Sequence, residues 1–188
     1  MKKIIEAMKH YDKTLEALEK THRERLEVLA EKYGSGTYYN ETVAELEADL
    51  VKARTAAKDE LKKVIEAQFE EMEGNIKEFV LAPIPEGFTE TMQAINACGA
   101  KLSESEVKLL SANFGSCYFA KKGFASVTDN STRVFLSYDE IMQEVEETRT
   151  GAFNWVEHYD PNKYSHDVMV SDESPLLSLE ATVNDFMN

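Results

Sequence analysis

The chain has 188 residues, 43% of them hydrophobic and 30% charged, and its 35 carboxylates outnumber 21 lysines and arginines for a net charge of −14. That length allows one ordinary domain, or a long helical element carrying a small domain. So much negative charge repels phosphate backbones and anionic lipid, which excludes direct nucleic-acid and membrane binding and suits a basic protein partner.

The charge is unevenly spread. Residues 1–33 carry eight cations against seven carboxylates, 41–73 five against ten, 74–136 six against six, and 137–188 two against twelve. Only eight Gly and four Pro interrupt the chain, so a largely helical protein with modest cores is expected. The N-terminus, MKKIIEAMKHYDK, begins with two lysines as a signal peptide does, but charged residues return before an apolar segment forms. No stretch approaches the roughly 18 apolar residues of a spanning helix, so a soluble protein of the cytoplasm is expected.

Residues 2–33 lack Gly and Pro, and Ile4, Met8, Tyr11, Leu15 and Leu18 recur at alternating steps of four and three. This spacing draws one narrow stripe along a helix, the pattern of coiled-coil packing. Continuing through His22, Leu26, Leu29 and Tyr33 needs two successive steps of four, a stutter that relaxes a left-handed supercoil. His22 sits on the seam, either as a polar residue fixing register or as a pH switch or ligand.

Gly34 and Gly36 in YGSGTYYNE break this helix, and Asn40 is the expected N-cap of a second one over 41–73. Its stripe runs Val43, Leu46, Leu50, Ala53, Ala57, Leu61, Val64 and on through Gln68 and Met72. Two such helices of about 32 residues, each ~48 Å long, form an antiparallel hairpin. Narrow stripes bury little by themselves, so the hairpin is expected to self-associate as a dimer or to dock on another protein through Leu15, Leu18, Leu29, Leu46, Leu50 and Leu61.

Pro83, Pro85 and Gly87 in FVLAPIPEGF end the pattern, placing the domain boundary at 80/81: a hairpin over 1–80 and a small, mostly helical domain over 81–188. A short helix opened by Thr89 carries Met92, Ile95 and Ala97. Ser103 and Glu106 have capping-box spacing before Val107, Leu109 and Leu110, and Cys117 to Val127 reads as another helix with Tyr118, Phe119 and Phe124 in its core. TRVFL is a short strand or an extended lead-in. Ser137 and Glu140 repeat the capping box ahead of Ile141, Val145, Phe153, Trp155 and Val156. Cys98 and Cys117, without any CxxC, are expected as small buried thiols of a reducing compartment.

The segment LSESEVKLLSANFGSCYFAKKGFASV resembles small uncharacterised proteins of phages and prophages of Gram-positive bacteria, in which L[ST]xxE[IV]xxL leads into a second helix of aromatics and Ala. The resemblance covers 102–127 and implies a phage assembly or scaffold-like protein in the bacterial host cell or the virion. The acidic C-terminus departs from the basic capsid-binding helix with which scaffolds often end.

Chemistry is poorly represented. There is no GxSxG, no Walker A and no GxGxxG, and adjacent pairs such as Glu146 and Glu147 point in different directions on a helix. HYDPNKYSHD, with His158 and His166 eight apart around a turn, fits neither helical nor strand spacing for ligands. It reads as a turn with Tyr159 and Tyr164 as anchors, and no metal or cofactor is expected. The acidic last quarter supports a second expectation: Asp139, Glu140, Glu144, Glu146 and Glu147 could imitate DNA phosphates and occupy the basic groove of a bacterial nucleic-acid-binding or defence enzyme. The first expectation is a mainly α, non-enzymatic assembly or adaptor protein: a long antiparallel helical hairpin, then a small α-helical domain with an acidic C-terminal segment.

Overall fold

The computed structural model describes residues 1–99, 101–114, 117–128, 136–161 and 168–187. Among them are α1 (Lys2–Tyr33), α2 (Thr37–Leu81), α3 (Phe88–Cys98), α4 (Glu104–Phe114), α5 (Tyr118–Ser126), α6 (Tyr138–His158), a 3-10 turn (Val168–Val170) and α7 (Pro175–Met187), with no strand. The protein is mainly α, a long helix pair followed by smaller helices, as its periodicity indicates.

The α1–α2 turn is made by glycine. Gly34, at φ 63° and ψ −81°, donates its N–H to the Ala30 carbonyl at 2.9 Å and ends α1 at a positive φ that side chains rarely adopt. Tyr33 and Tyr38 meet edge-on beyond it, centroids 4.8 Å apart. The second helix starts earlier than Asn40, which lies inside it: the Asn40 N–H already donates to the Gly36 carbonyl at 3.1 Å. It also outlasts residue 73, running 45 residues through Gly74 to stop two residues before Pro83. One interior Gly costs about 1 kcal/mol, too little to end a helix of ~68 Å.

The buried stripe of α2 is rotated from the expected one. Leu61, Ile65, Phe69 and Ile76 are fully buried, whereas Val64, Gln68 and Met72 are half-buried. Steps of four, four and seven follow the 3.6-residue turn of a straight helix, so the seam drifts off a strict heptad.

Contacts divide the chain into two compact units, residues 1–68 with 148–177, and residues 69–147 with 178–188. The division therefore falls inside α2 rather than at 80/81, and α6 and α7 also contribute to both units. The Pro-rich segment ends a helix without ending a packing unit, because residues 69–81 before it and α3 after it belong to the same unit.

In the first unit the buried apolar residues include Ile4, Met8, Tyr11, Leu15 and Leu29 of α1, Leu61 and Ile65 of α2, and Ala152 and Val156 of α6. Trp155 stacks on Tyr159 at 4.2 Å between centroids, and Tyr11 lies against both rings at 6.3 and 6.2 Å. Ser174, buried, caps α7: its hydroxyl donates to the Met169 carbonyl at 2.6 Å and accepts from the Leu176 N–H, with Pro175 at the first helical position.

In the second unit α3, α4 and α5 enclose Phe88, Leu102, Cys117, Ala120, Phe124 and Val127. Phe88 meets Phe124 and Phe114 edge-on at 5.3 and 5.7 Å. Helix α3 opens at Phe88 behind a left-handed Gly87, one residue before the expected Thr89. Both capping boxes form: Ser103 N–H and Oγ reach Glu106 Oε2 at 2.8 and 2.7 Å, and Ser137 does the same to Glu140 at 2.7 Å for each bond. Two expectations fail here, since Phe119 is 46% exposed and Cys98 is exposed while Cys117 is buried. Both lie on short helices whose core contacts are made by other residues, Phe88, Met92 and Ile95 of α3 and Tyr118, Ala120 and Phe124 of α5. Leu179, Val183 and Phe186 of α7 are buried, so the acidic C-terminal segment also carries a core helix. Of TRVFL, residues 132–135 lie outside the described residues.

Candidate interaction surface

The hairpin has two flanks. On α1, Asp12 and Glu19 are seven residues apart and so share a side; Asp12 accepts from the Tyr159 hydroxyl and Glu19 from Arg54 Nη2, both at 2.5 Å. On the same flank Lys58 and Lys62 of α2 both pair with Glu157 of α6. Two ammonium groups, Lys58 first, hold the Glu157 carboxyl well below its usual range, at about 2. Burial pushes the Tyr11 phenol up.

His10, Ala17 and Thr21 are turned about 140–180° from Asp12 at 100° per residue, on the opposite flank of α1. There an open groove of about 650 Å³ lies between α1 and α2. Leu18 of α1 and Leu46 and Leu50 of α2 line it, half-buried, with Ala17 and Ala53 beside them. These are three of the six leucines expected to make intermolecular contacts. The other three, Leu15, Leu29 and Leu61, are buried within the first unit and serve its own core instead. The stripe read as one seam is shared between an inner core and an outer groove.

The two walls of this groove differ in charge. From α1 come His10, Lys13, His22 and Arg25, and from α2 comes Asp49. Lys13, Arg25 and Asp49 make no ion pair among the described residues. Glu45, one turn before Asp49, lies on the same side of α2. No family model, curated protein or solved structure matches this chain. The groove is therefore characterised by its own chemistry: an apolar floor of Ala17 and Leu18 facing about two turns of α2 from Leu46 to Ala53, with cations on the α1 edge and Asp49 on the α2 edge.

The remaining expected sites are dispersed. Asp139, Glu140, Glu144, Glu146 and Glu147 are all exposed on α6. Glu140 is engaged in the Ser137 cap, whose amide and hydroxyl hold its carboxyl below the usual range, and Glu147 Oε1 accepts from Gln143 Nε2 at 2.8 Å. His158 Nδ1 lies 2.9 Å from the Asn154 carbonyl, while His166 and Tyr164 lie outside the described residues. Among the described residues no three His, Cys, Asp or Glu side chains gather as a metal site, and no helix is long and apolar enough to cross a membrane. The sequence reading missed Lys13, Arg25 and Asp49; their signal was the helical position they share with the stripe's outer edge.

Proposed function

We propose that this chain is a non-enzymatic assembly or adaptor protein that works by helix-on-helix contact through the open flank of its α1–α2 hairpin. One observation carries the reading: Leu18, Leu46 and Leu50 line an open groove on the flank opposite the one occupied by Tyr159 and Glu157. Apolar residues in a groove of this length gain most from a further helix, which would remove them from water at roughly 25 cal/mol per Å². The resemblance of residues 102–127 to phage proteins favours an assembly role in a phage or prophage.

A photo-cross-linking amino acid at Ala17, introduced in cells that make the protein naturally, tests this. A covalent protein adduct that disappears when Leu50→Lys is added is expected. An absence of adducts at Ala17, with the chain abundant and helical, contradicts the reading.

The exposure of all five α6 carboxylates favours a second reading, an acidic inhibitor that occupies a basic protein groove. It predicts salt-sensitive capture of a basic partner, lost on neutralising Asp139, Glu144, Glu146 and Glu147; capture unchanged by those substitutions contradicts it.

A further inference from the structure

Resting on the reading of the hairpin flank as a helix-docking surface, we infer that its occupant is a second copy of the chain, related by a two-fold axis parallel to the helices, so that α1 of each copy lies over α2 of the other. The argument is charge complementarity. A groove with one basic and one acidic edge is matched by a partner carrying the same edges in the opposite order, and a copy of itself turned about that axis presents them so.

The heights agree as well. Glu19 and Arg54 pair across the hairpin, so residues whose numbers sum to about 73 lie level. A two-fold parallel to the helices keeps each residue at its own height. It sets the partner's Arg25 level with residue 48 of α2, beside Asp49 and one turn from Glu45. Helices in contact stand about 8–10 Å apart, a gap an Arg–carboxylate pair spans. Among the described residues both groups are without an ion pair inside one protomer, as is Lys13 of α1.

Other occupants fit less well. A two-fold perpendicular to the helices lays α1 on α1 and turns His10, Lys13, His22 and Arg25 toward their own copies. A uniformly acidic helix satisfies the α1 edge but meets Asp49 and Glu45 on the other, and a uniformly basic helix has the reverse conflict.

Charge reversal with mixing tests the proposal on the full chain. Arg25→Glu alone places Glu against the partner's Asp49 twice, and Asp49→Arg alone places Arg against the partner's Arg25 twice. Mixed in equal amounts, each variant meets its complement in both places. By light scattering, the wild type is expected at twice the 21.3 kDa of one chain. Each single variant is expected to dissociate about tenfold or more easily, and the mixture to recover the dimer as a heterodimer. Far-UV circular dichroism of each variant checks that the helices persist, and a variant that loses them is replaced by Arg25→Gln with Asp49→Asn, each expected to weaken the dimer. A monomeric wild type, single variants that dimerise as tightly as the wild type, or a mixture that stays monomeric overturns the inference. A monomeric wild type whose Ala17 cross-linker captures a different protein overturns the second copy while keeping the docking groove; failure of all cross-linking at Ala17 removes the docking reading itself.

Discussion

The Tyr159 hydroxyl donates a hydrogen bond to Asp12 Oδ1 at 2.5 Å across 147 positions of sequence, tying the end of α6 to the first half of α1. Tyr159 also stacks on Trp155 and touches Tyr11, so ring packing and the hydrogen bond hold the same flank of the hairpin. Tyr159→Phe keeps the ring and removes the donor to a carboxylate. A loss of about 1–2 kcal/mol in urea unfolding is expected, below the upper range for charged hydrogen bonds because the pair is only part-buried. An unchanged midpoint shows that water replaces the bond at no cost.

Glu157 gives this flank a pH dependence. Its carboxyl is held at about 2 in the folded protein against an ordinary 4.5, by hydrogen bonds from Lys58 and then Lys62. Between those values the unfolded chain binds more protons, so this contribution is complete above about pH 4.5 and is lost as pH falls toward 2. Carboxyl NMR titration of Glu157 is expected to give the low midpoint. Lys58→Met with Lys62→Met is expected to return it toward 4.5; a midpoint unmoved by that change removes the lysines as the cause.

Two glycines inside helices predict opposite responses to Ala. A Cβ at Gly74 of α2 meets nothing within 4 Å, so Gly74→Ala is expected to raise stability by about 0.5–1 kcal/mol through helix propensity alone. A Cβ at Gly123 of α5 would stand 2.7 Å from Phe88 Cζ, at the centre of the second unit's core. Gly123→Ala is expected to destabilise by about 1–3 kcal/mol because the ring must shift. Thermal unfolding of both variants reads the contrast, and a stabilised Gly123→Ala contradicts the close approach of α3 and α5.

Ser103 and Ser137 each satisfy the start of a helix through reciprocal bonds with Glu106 and Glu140. Replacing either by Ala is expected to cost about 1 kcal/mol, and to let the carboxyl of its partner glutamate titrate closer to the ordinary value. Unfolding curves and carboxyl titrations of the two variants measure both effects. A serine variant with full stability shows that its cap is replaced by solvent.

Much of this architecture was legible in local signals. The Gly34 turn, both capping boxes and the position of α1 follow from short-range chemistry that tertiary packing did not override. The course of α2 did not, because Gly74 resembles a terminator and costs too little to act as one, and because heptad counting passes over Ile65, Phe69 and Ile76. Helix α7 was hidden by the net charge of its surroundings, although Ser174, Pro175 and the 3-4-3 spacing of Leu176, Leu179, Val183 and Phe186 announce a capped amphipathic helix. For the candidate surface, the leucine stripe was visible. Which leucines face inward was not, since that depends on Trp155 and Tyr159 arriving on one flank from more than a hundred residues away.

The most direct test of the account is the mass of the protein in solution before and after the groove is charged. Light scattering of the wild type is expected to give more than the 21.3 kDa of a single chain, and Leu50→Lys to give a monomer with its helical circular dichroism intact. A wild type and a Leu50→Lys variant of the same mass and the same helicity would contradict an assembling hairpin.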